Sequence, residues 1–188
     1  SLEGMAEFHC QYGDSCWNWS QLAQCEPIRL SMPLTPYSHE LEAGETADVN
    51  RCFVKGLMMD FRTDGGDGLV ADYPHFAAHV RRVATLKRRV APWLSRCLFE
   101  DALGLALTGE HFCGATYAAE DGSYAVAVIA STSDQAARIT CAVNWGVLAP
   151  GVSEIQRYGL DNTIVKASLT EGIDEVWEPY HVEVWVAL

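Results

Sequence analysis

The sequence predicts an α/β region followed by an all-β domain, and three observations carry that expectation. In PHFAAHVRRVATLKRRVAPWLSRCLF the apolar residues recur at three- and four-residue steps, the period of a helix with one buried face. Beyond residue 105 that period gives way to short alternating runs divided by turn residues, the pattern of antiparallel strands. Charge divides the chain near the same point: residues 1–99 carry 10 basic and 12 acidic side chains, residues 100–188 carry 3 and 13. The expected organisation is a region 1–104 with a long amphipathic helix over 75–98, then a β domain over 105–188.

The helix is set by Phe76, Val80, Val83, Leu86, Val90 and Leu94, with Arg81, Arg82, Lys87, Arg88 and Arg89 mainly between them. Pro74 suits its start, and Pro92 should kink or end it. The basic run reads as a solvated face. In the β domain, HFCGATYAA, SYAVAVIAS, ARITCAVNW, TIVKASL and HVEVWVAL read as strands, with EDG at 120–122 as a hairpin turn. Five or more such strands in so short a span predict an antiparallel sandwich. In the last strand Val182, Val184 and Val186 share one face and His181, Glu183 and Trp185 the other, with His181 read as structural.

The first region mixes its signals. IRLSMPLTPYSHE reads as a strand leaving into an irregular loop. ADVNRCFVKGLMMDF reads as a short helix leading to a buried strand ending near Asp60, and RTDGGDG as a glycine-rich hinge. Strand, irregular loop and amphipathic helix in that order is what the later units of a (β/α)8-type barrel present, and it sets Asp60 and Arg62 at the C-terminal end of a strand, where such barrels keep their chemistry.

Composition excludes several classes. A chain of 188 residues with 49% hydrophobic content can bury a sizeable core. A formal charge of −12 opposes nucleic-acid binding, which rests on cationic contacts to phosphate. No apolar run reaches the roughly 20 residues that span a bilayer, so no membrane partner is expected. The seven cysteines contain no CxxC pair, so no metal site and no cofactor is expected, and the bland reading is free, mostly buried thiols. With no signal peptide visible, the chain reads as soluble, with the cytoplasm favoured.

The order EG-x-AE (Glu3 to Glu7), Asp14 with Trp17 and Trp19, a strand carrying Pro33 and Tyr37, NRCFVKGLMMDF, WLSRCLFEDALGL and a closing β domain resembles the C-terminal portion of glycoside hydrolases. It is similar to a glycosyl-hydrolase-like family of barrel proteins in which a (β/α)8 barrel runs directly into a small β-sandwich. GSYAVAVIAS and HVEVWVAL are similar to that sandwich's first and last strands. The resemblance implies a carbohydrate-active enzyme. A closed barrel needs roughly 200–250 residues, whereas about 100 precede the β domain, so the barrel is incomplete in this chain. The expected partners are carbohydrate and either a missing N-terminal barrel segment or a second copy of the chain.

Glycosidic cleavage commonly uses two carboxyl groups about 5–10 Å apart, one protonating the leaving oxygen and one acting as nucleophile or base. The candidates are Glu7, Asp14, Glu3 and Asp60. On a helix Glu3 and Glu7 would share a face, and mutual repulsion would raise one pKa as an acid requires. Ala6 and Phe8 would desolvate Glu7, whereas Gly13 and Ser15 would leave Asp14 hydrated, so Glu7 is the expected acid. Tyr12, Trp17 and Trp19 would stack on sugar faces, and Arg62 would bind substrate beside Asp60. A cysteine nucleophile partnered by His39 or His75 is a further enzyme class, and a non-catalytic carbohydrate-binding or structural and assembly module is the alternative to catalysis.

Overall fold

A computed structural model describes residues 38–62, 69–169 and 172–188. The described residues open with β1 (Ser38–Glu42), α1 (Thr46–Val54) and β2 (Met58–Arg62), a β-α-β unit whose strands pair in parallel from Ser38 beside Met58 to Glu42 beside Arg62. A single turn at Val70–Asp72 leads into α2 (Pro74–Leu94). Then follow β3 (Cys97–Phe99), β4 (Leu105–Thr108), β5 (Phe112–Ala119), β6 (Ala125–Ser131), β7 (Ala137–Val143), α3 (Trp145–Leu148), β8 (Ile155–Gly159), β9 (Ile164–Ala167), β10 (Ile173–Trp177) and β11 (Val182–Ala187).

The later strands form two antiparallel sheets. One has six strands in the order β3-β5-β6-β11-β8-β9 and the other three in the order β10-β7-β4. The layering follows from β6 and β11, which are buried on both faces. Val126, Val128 and Ala130 of β6, with Val182, Val184 and Val186 of β11, enter one core with Phe53, Phe76, Val83, Leu86 and Val90 of the helices and Leu41 of β1. Ala125, Ala127 and Ile129, with Trp185 and Ala187, enter a second core with Ile139, Cys141, Val143, Ile173 and Trp177 of the smaller sheet. The helices thus cover one face of the large sheet and the small sheet covers the other, an arrangement consistent with the expected sandwich. Residues on both sides of position 105 contribute to the helix-side core.

Local chemistry explains the element ends. Pro74 occupies the first turn of α2, where its missing N–H costs no helical bond. α1 stops at Gly56, whose φ of 66° lets the Leu57 N–H reach the Cys52 carbonyl at 2.8 Å and turns the chain into β2. The turn expected at EDG joins β5 to β6, with Gly122 at φ 68°.

The expected helix over 75–98 overshoots. α2 ends at Leu94, where the Ser95 hydroxyl donates to the Ala91 carbonyl at 2.6 Å and the Arg96 N–H donates to Trp93 at 3.1 Å. Cys97 to Phe99 instead pair with Ala119 to Tyr117, burying Cys97 and Phe99. In IRLSMPLTPYSHE, residues 28–37 lie outside the described residues, and the final Ser38-His39-Glu40 opens β1 rather than a loop. β3, β4, β8 and β10 add to the five strands expected.

Each fully buried aliphatic side chain on α2 contributes roughly 1.5–3 kcal/mol from area burial. Leu86, at 1% exposure, sits where helix meets sheet. Leu86→Ala should lower unfolding free energy by about 2–5 kcal/mol in urea denaturation. Arg88→Ala, on the exposed face one residue beyond Lys87, should change it by less than about 0.5 kcal/mol.

Candidate functional site

Of the residues expected to carry chemistry, Glu3, Glu7, Tyr12, Asp14, Trp17 and Trp19 lie outside the described residues. Asp60 is the third of five residues in β2 and Arg62 the last. Parallel pairing makes Glu40 of β1 the register partner of Asp60, and Glu42 that of Arg62. Adjacent strands lie about 4.8 Å apart, so two carboxylate-bearing positions stand side by side in the middle of parallel strands, and of the two residues expected at the C-terminal end of β2 only Arg62 is there. Glu40 was missed by sequence reasoning because SHELE read as the tail of a loop. Its signal was the carboxylate in an alternating run just before a helix.

The largest polar cluster lies elsewhere, on the face of the six-stranded sheet that meets the small sheet. The Arg157 guanidinium donates to both oxygens of Glu183, from Nε at 2.8 Å and from Nη2 at 3.0 Å. It also donates more weakly to Glu175, from Nη1 and Nη2 at 3.3 Å. Its Cζ stands 5.2 Å from the centre of the Trp185 ring. The indole N–H of Trp185 donates to Glu183 at 2.7 Å and that of Trp177 to Glu175 at 3.3 Å. His181 stands against Trp177, ring centres 4.7 Å apart, with Nε2 3.4 Å from Glu183.

Burial alone would raise the Glu183 pKa, but hydrogen bonds from His181, Arg157 and Trp185 and the guanidinium charge hold it below its ordinary value. Arg157, Glu175 and Trp185 line a cleft of about 230 Å³ with Ile155, Gly172 and Ile173. Both carboxylates there are committed to one half-buried cation, which makes this cluster a structural lock rather than an acid-base pair. The expected structural role of His181 matches this setting.

A second buried polar group joins the helices to the sheet. Asn50 of α1 donates from Nδ2 to the carbonyls of Ser131 (2.7 Å) and Tyr180 (3.0 Å). Its Oδ1 lies 2.7 Å from Nε2 of His79 on α2. An amide oxygen only accepts, so Nε2 of His79 carries a proton. Burial, with the nearby Arg82 charge, lowers the His79 pKa to about 4.

Cys52, Cys97, Cys113 and Cys141 are free thiols. Burial pushes Cys97 and Cys141 up to about 12, and Cys52 higher still. A thiol that stays protonated is a poor nucleophile, so these positions do not suit cysteine catalysis. Among the described residues no three His, Cys, Asp or Glu side chains gather as a metal site, and no helix is long and apolar enough to cross a membrane.

No protein-family model matches the chain, and no curated protein matches it. Two solved structures show a partial likeness. One is a protein provisionally named alpha-N-acetylgalactosaminidase from Bacillus halodurans C-125, with 10% identity and a TM-score of 0.43 over 75% of this chain and 29% of that one. The other is provisionally named alpha-galactosidase/melibiase, from Bacteroides fragilis NCTC 9343, with 11% identity and a TM-score of 0.44 over 76% of this chain and 28% of that one. The chain spans less than a third of either. These scores are too low to transfer fold or activity.

The His79 cluster sets an acid limit on stability. Its folded pKa lies below the ordinary 6.5, so its contribution is complete above about pH 6.5 and is lost as pH falls from there toward about 4. The loss should reach about 3 kcal/mol, measured as urea midpoints across pH. In His79→Gln that pH dependence should flatten. Glu183→Gln, which leaves the half-buried Arg157 with its best partner uncharged, should cost about 3 kcal/mol or more at neutral pH.

Proposed function

We propose that this chain is the C-terminal part of a carbohydrate-active enzyme of the glycoside hydrolase type, with β1-α1-β2-α2 as closing barrel units and the antiparallel sheets as an attached sandwich. The observation that carries this reading is the in-register placement of Glu40 and Asp60 on adjacent parallel strands, each strand followed by a helix packed against the sandwich. The sequence resemblance supports the same order of parts. The remaining β/α units of the barrel would come from further chain or from a partner.

In this reading Glu40 and Asp60 supply the two carboxyl groups of glycosidic hydrolysis. Proximity of like charges raises one pKa, and that group protonates the leaving oxygen. The other, ionised, attacks the anomeric carbon or activates water. Arg62, two residues further along β2, binds substrate, and Glu3, Glu7, Asp14, Tyr12, Trp17 and Trp19, which lie outside the described residues, are further candidates for the same chemistry. In this reading the antiparallel sheets do not supply the acid and base, because the carboxylates at the Arg157 cleft are held by that guanidinium.

The test is release of nitrophenol from aryl glycosides by the native protein containing this chain. Asp60→Asn and Glu40→Gln should each lower kcat by about 10² to 10⁴-fold, the usual worth of a proton-transfer group, with unfolding midpoints unchanged. Full turnover in both variants would exclude the pair. Oligosaccharide binding with no turnover would favour a non-catalytic carbohydrate-binding module.

A further inference from the structure

We infer that the exposed cationic face of α2 is a contact surface for a second copy of this chain, through acidic side chains that flank it. The inference does not depend on the proposed hydrolase activity. Arg81, Arg82, Arg88 and Arg96 are exposed, and among the described residues none lies within salt-bridge distance of a carboxylate. Arg89, on the same face, meets only neutral groups: it donates to Asn162 Oδ1 at 3.0 Å and stands 5.5 Å from the Tyr158 ring centre. Elsewhere the pattern is the reverse. Arg51, Lys55, Arg138, Arg157 and Lys166 each hold a carboxylate. In a chain with 25 acidic and 13 basic side chains, cations should find partners readily. Among the described residues, Arg81, Arg82, Arg88 and Arg89 of α2, with Arg96 in the turn that follows it, are therefore an unmatched surface.

The complementary surface is on the same side of the molecule. Glu120 and Asp121 are exposed in the β5–β6 turn, which is tied to the end of α2 because the Tyr124 hydroxyl donates to the Trp93 carbonyl at 3.2 Å. Asp161 is exposed beside Asn162, the residue that holds Arg89. Among the described residues these three carboxylates form no ion pair; Asp121 and Asp161 accept only from Ser123 and Thr163.

Adjacent basic and acidic patches on one side suit a two-fold dimer, in which each patch meets its opposite on the other copy. A long polyanion such as nucleic acid or an anionic membrane fits less well, because the surrounding chain, at −12, would repel it.

Sedimentation equilibrium of the 188-residue chain at about 0.01 M and about 1 M salt, where the Debye length is about 30 Å and about 3 Å, tests this. The expected result is a dimer at low salt whose Kd rises at least about tenfold at high salt. Combining Arg81→Glu, Arg82→Glu and Arg88→Glu should give a monomer at low salt. So should combining Glu120→Lys, Asp121→Lys and Asp161→Lys. An equimolar mixture of the two should associate again. Arg88→Gln with Arg96→Gln, milder changes that keep helix propensity, should weaken the dimer with an unchanged circular dichroism spectrum. A parent chain that is monomeric at low salt, a dimer that survives the glutamate substitutions, or variants that fail to associate when mixed would overturn the inference. So would a chain that binds heparin or anionic vesicles while remaining monomeric.

Discussion

The constraint on which the rest of this structure depends is that β6 and β11 are buried on both faces. A strand with one polar face can leave it to water, but AVAVIA and VEVWVA bury nearly every residue. Each side of the six-stranded sheet therefore needs a cover. The three-stranded sheet provides one and the α1-α2 layer the other, and β1-β2 joins the helix-side core through Leu41, Met59 and Phe61. The parallel and antiparallel parts are joined by burial and not merely by chain connection.

Polar groups inside this stack are placed where they fix its geometry. Asn50 reaches from α1 to backbone carbonyls at the end of β6 and in the β10–β11 turn, so the helix layer is keyed to one position on the sheet. On the opposite face Arg157 ties β8 to β10 and β11 through Glu175 and Glu183. Both clusters are satisfied by short hydrogen bonds, which is the condition under which buried polar groups specify an arrangement without a large penalty. The arginines of α2 contrast with Arg157: same residue type, no carboxylate, and an exposed face.

Much of this architecture was legible in the sequence, and the exceptions have physical causes. The period of Phe76, Val83, Leu86 and Val90 was readable because one face is buried and the other wet. The alternation of Val182, Val184 and Val186 was readable because His181, Glu183 and Trp185 interrupt the apolar run at the intervening positions, although both faces of the strand are covered. The end of α2 was not, because Cys97 and Phe99 suit a helix face as well as a strand, and only pairing with β5 decides it. β8 and β10 were hidden because IQRYG and IDEVW carry charged residues at positions that reach Arg157's network and so break the apolar signal. At the candidate site, Asp60 was visible after the apolar run that begins β2, although the strand continues to Arg62, whereas its neighbour Glu40 depends on a pairing between strands about 20 residues apart, and register is not written in either strand alone.

The functional reading rests on this same stack, since β2 and its Asp60 are held in place by helices that are themselves clamped to the sandwich. Native-state hydrogen exchange measures that coupling most directly. If the shared core unites the parts, amides in α1 and α2 will exchange through the same global opening as those in β6 and β11, with equal free energies and equal denaturant dependence. Helix amides that exchange through a separate opening of much lower free energy, with the β6 and β11 amides still protected, would contradict the account.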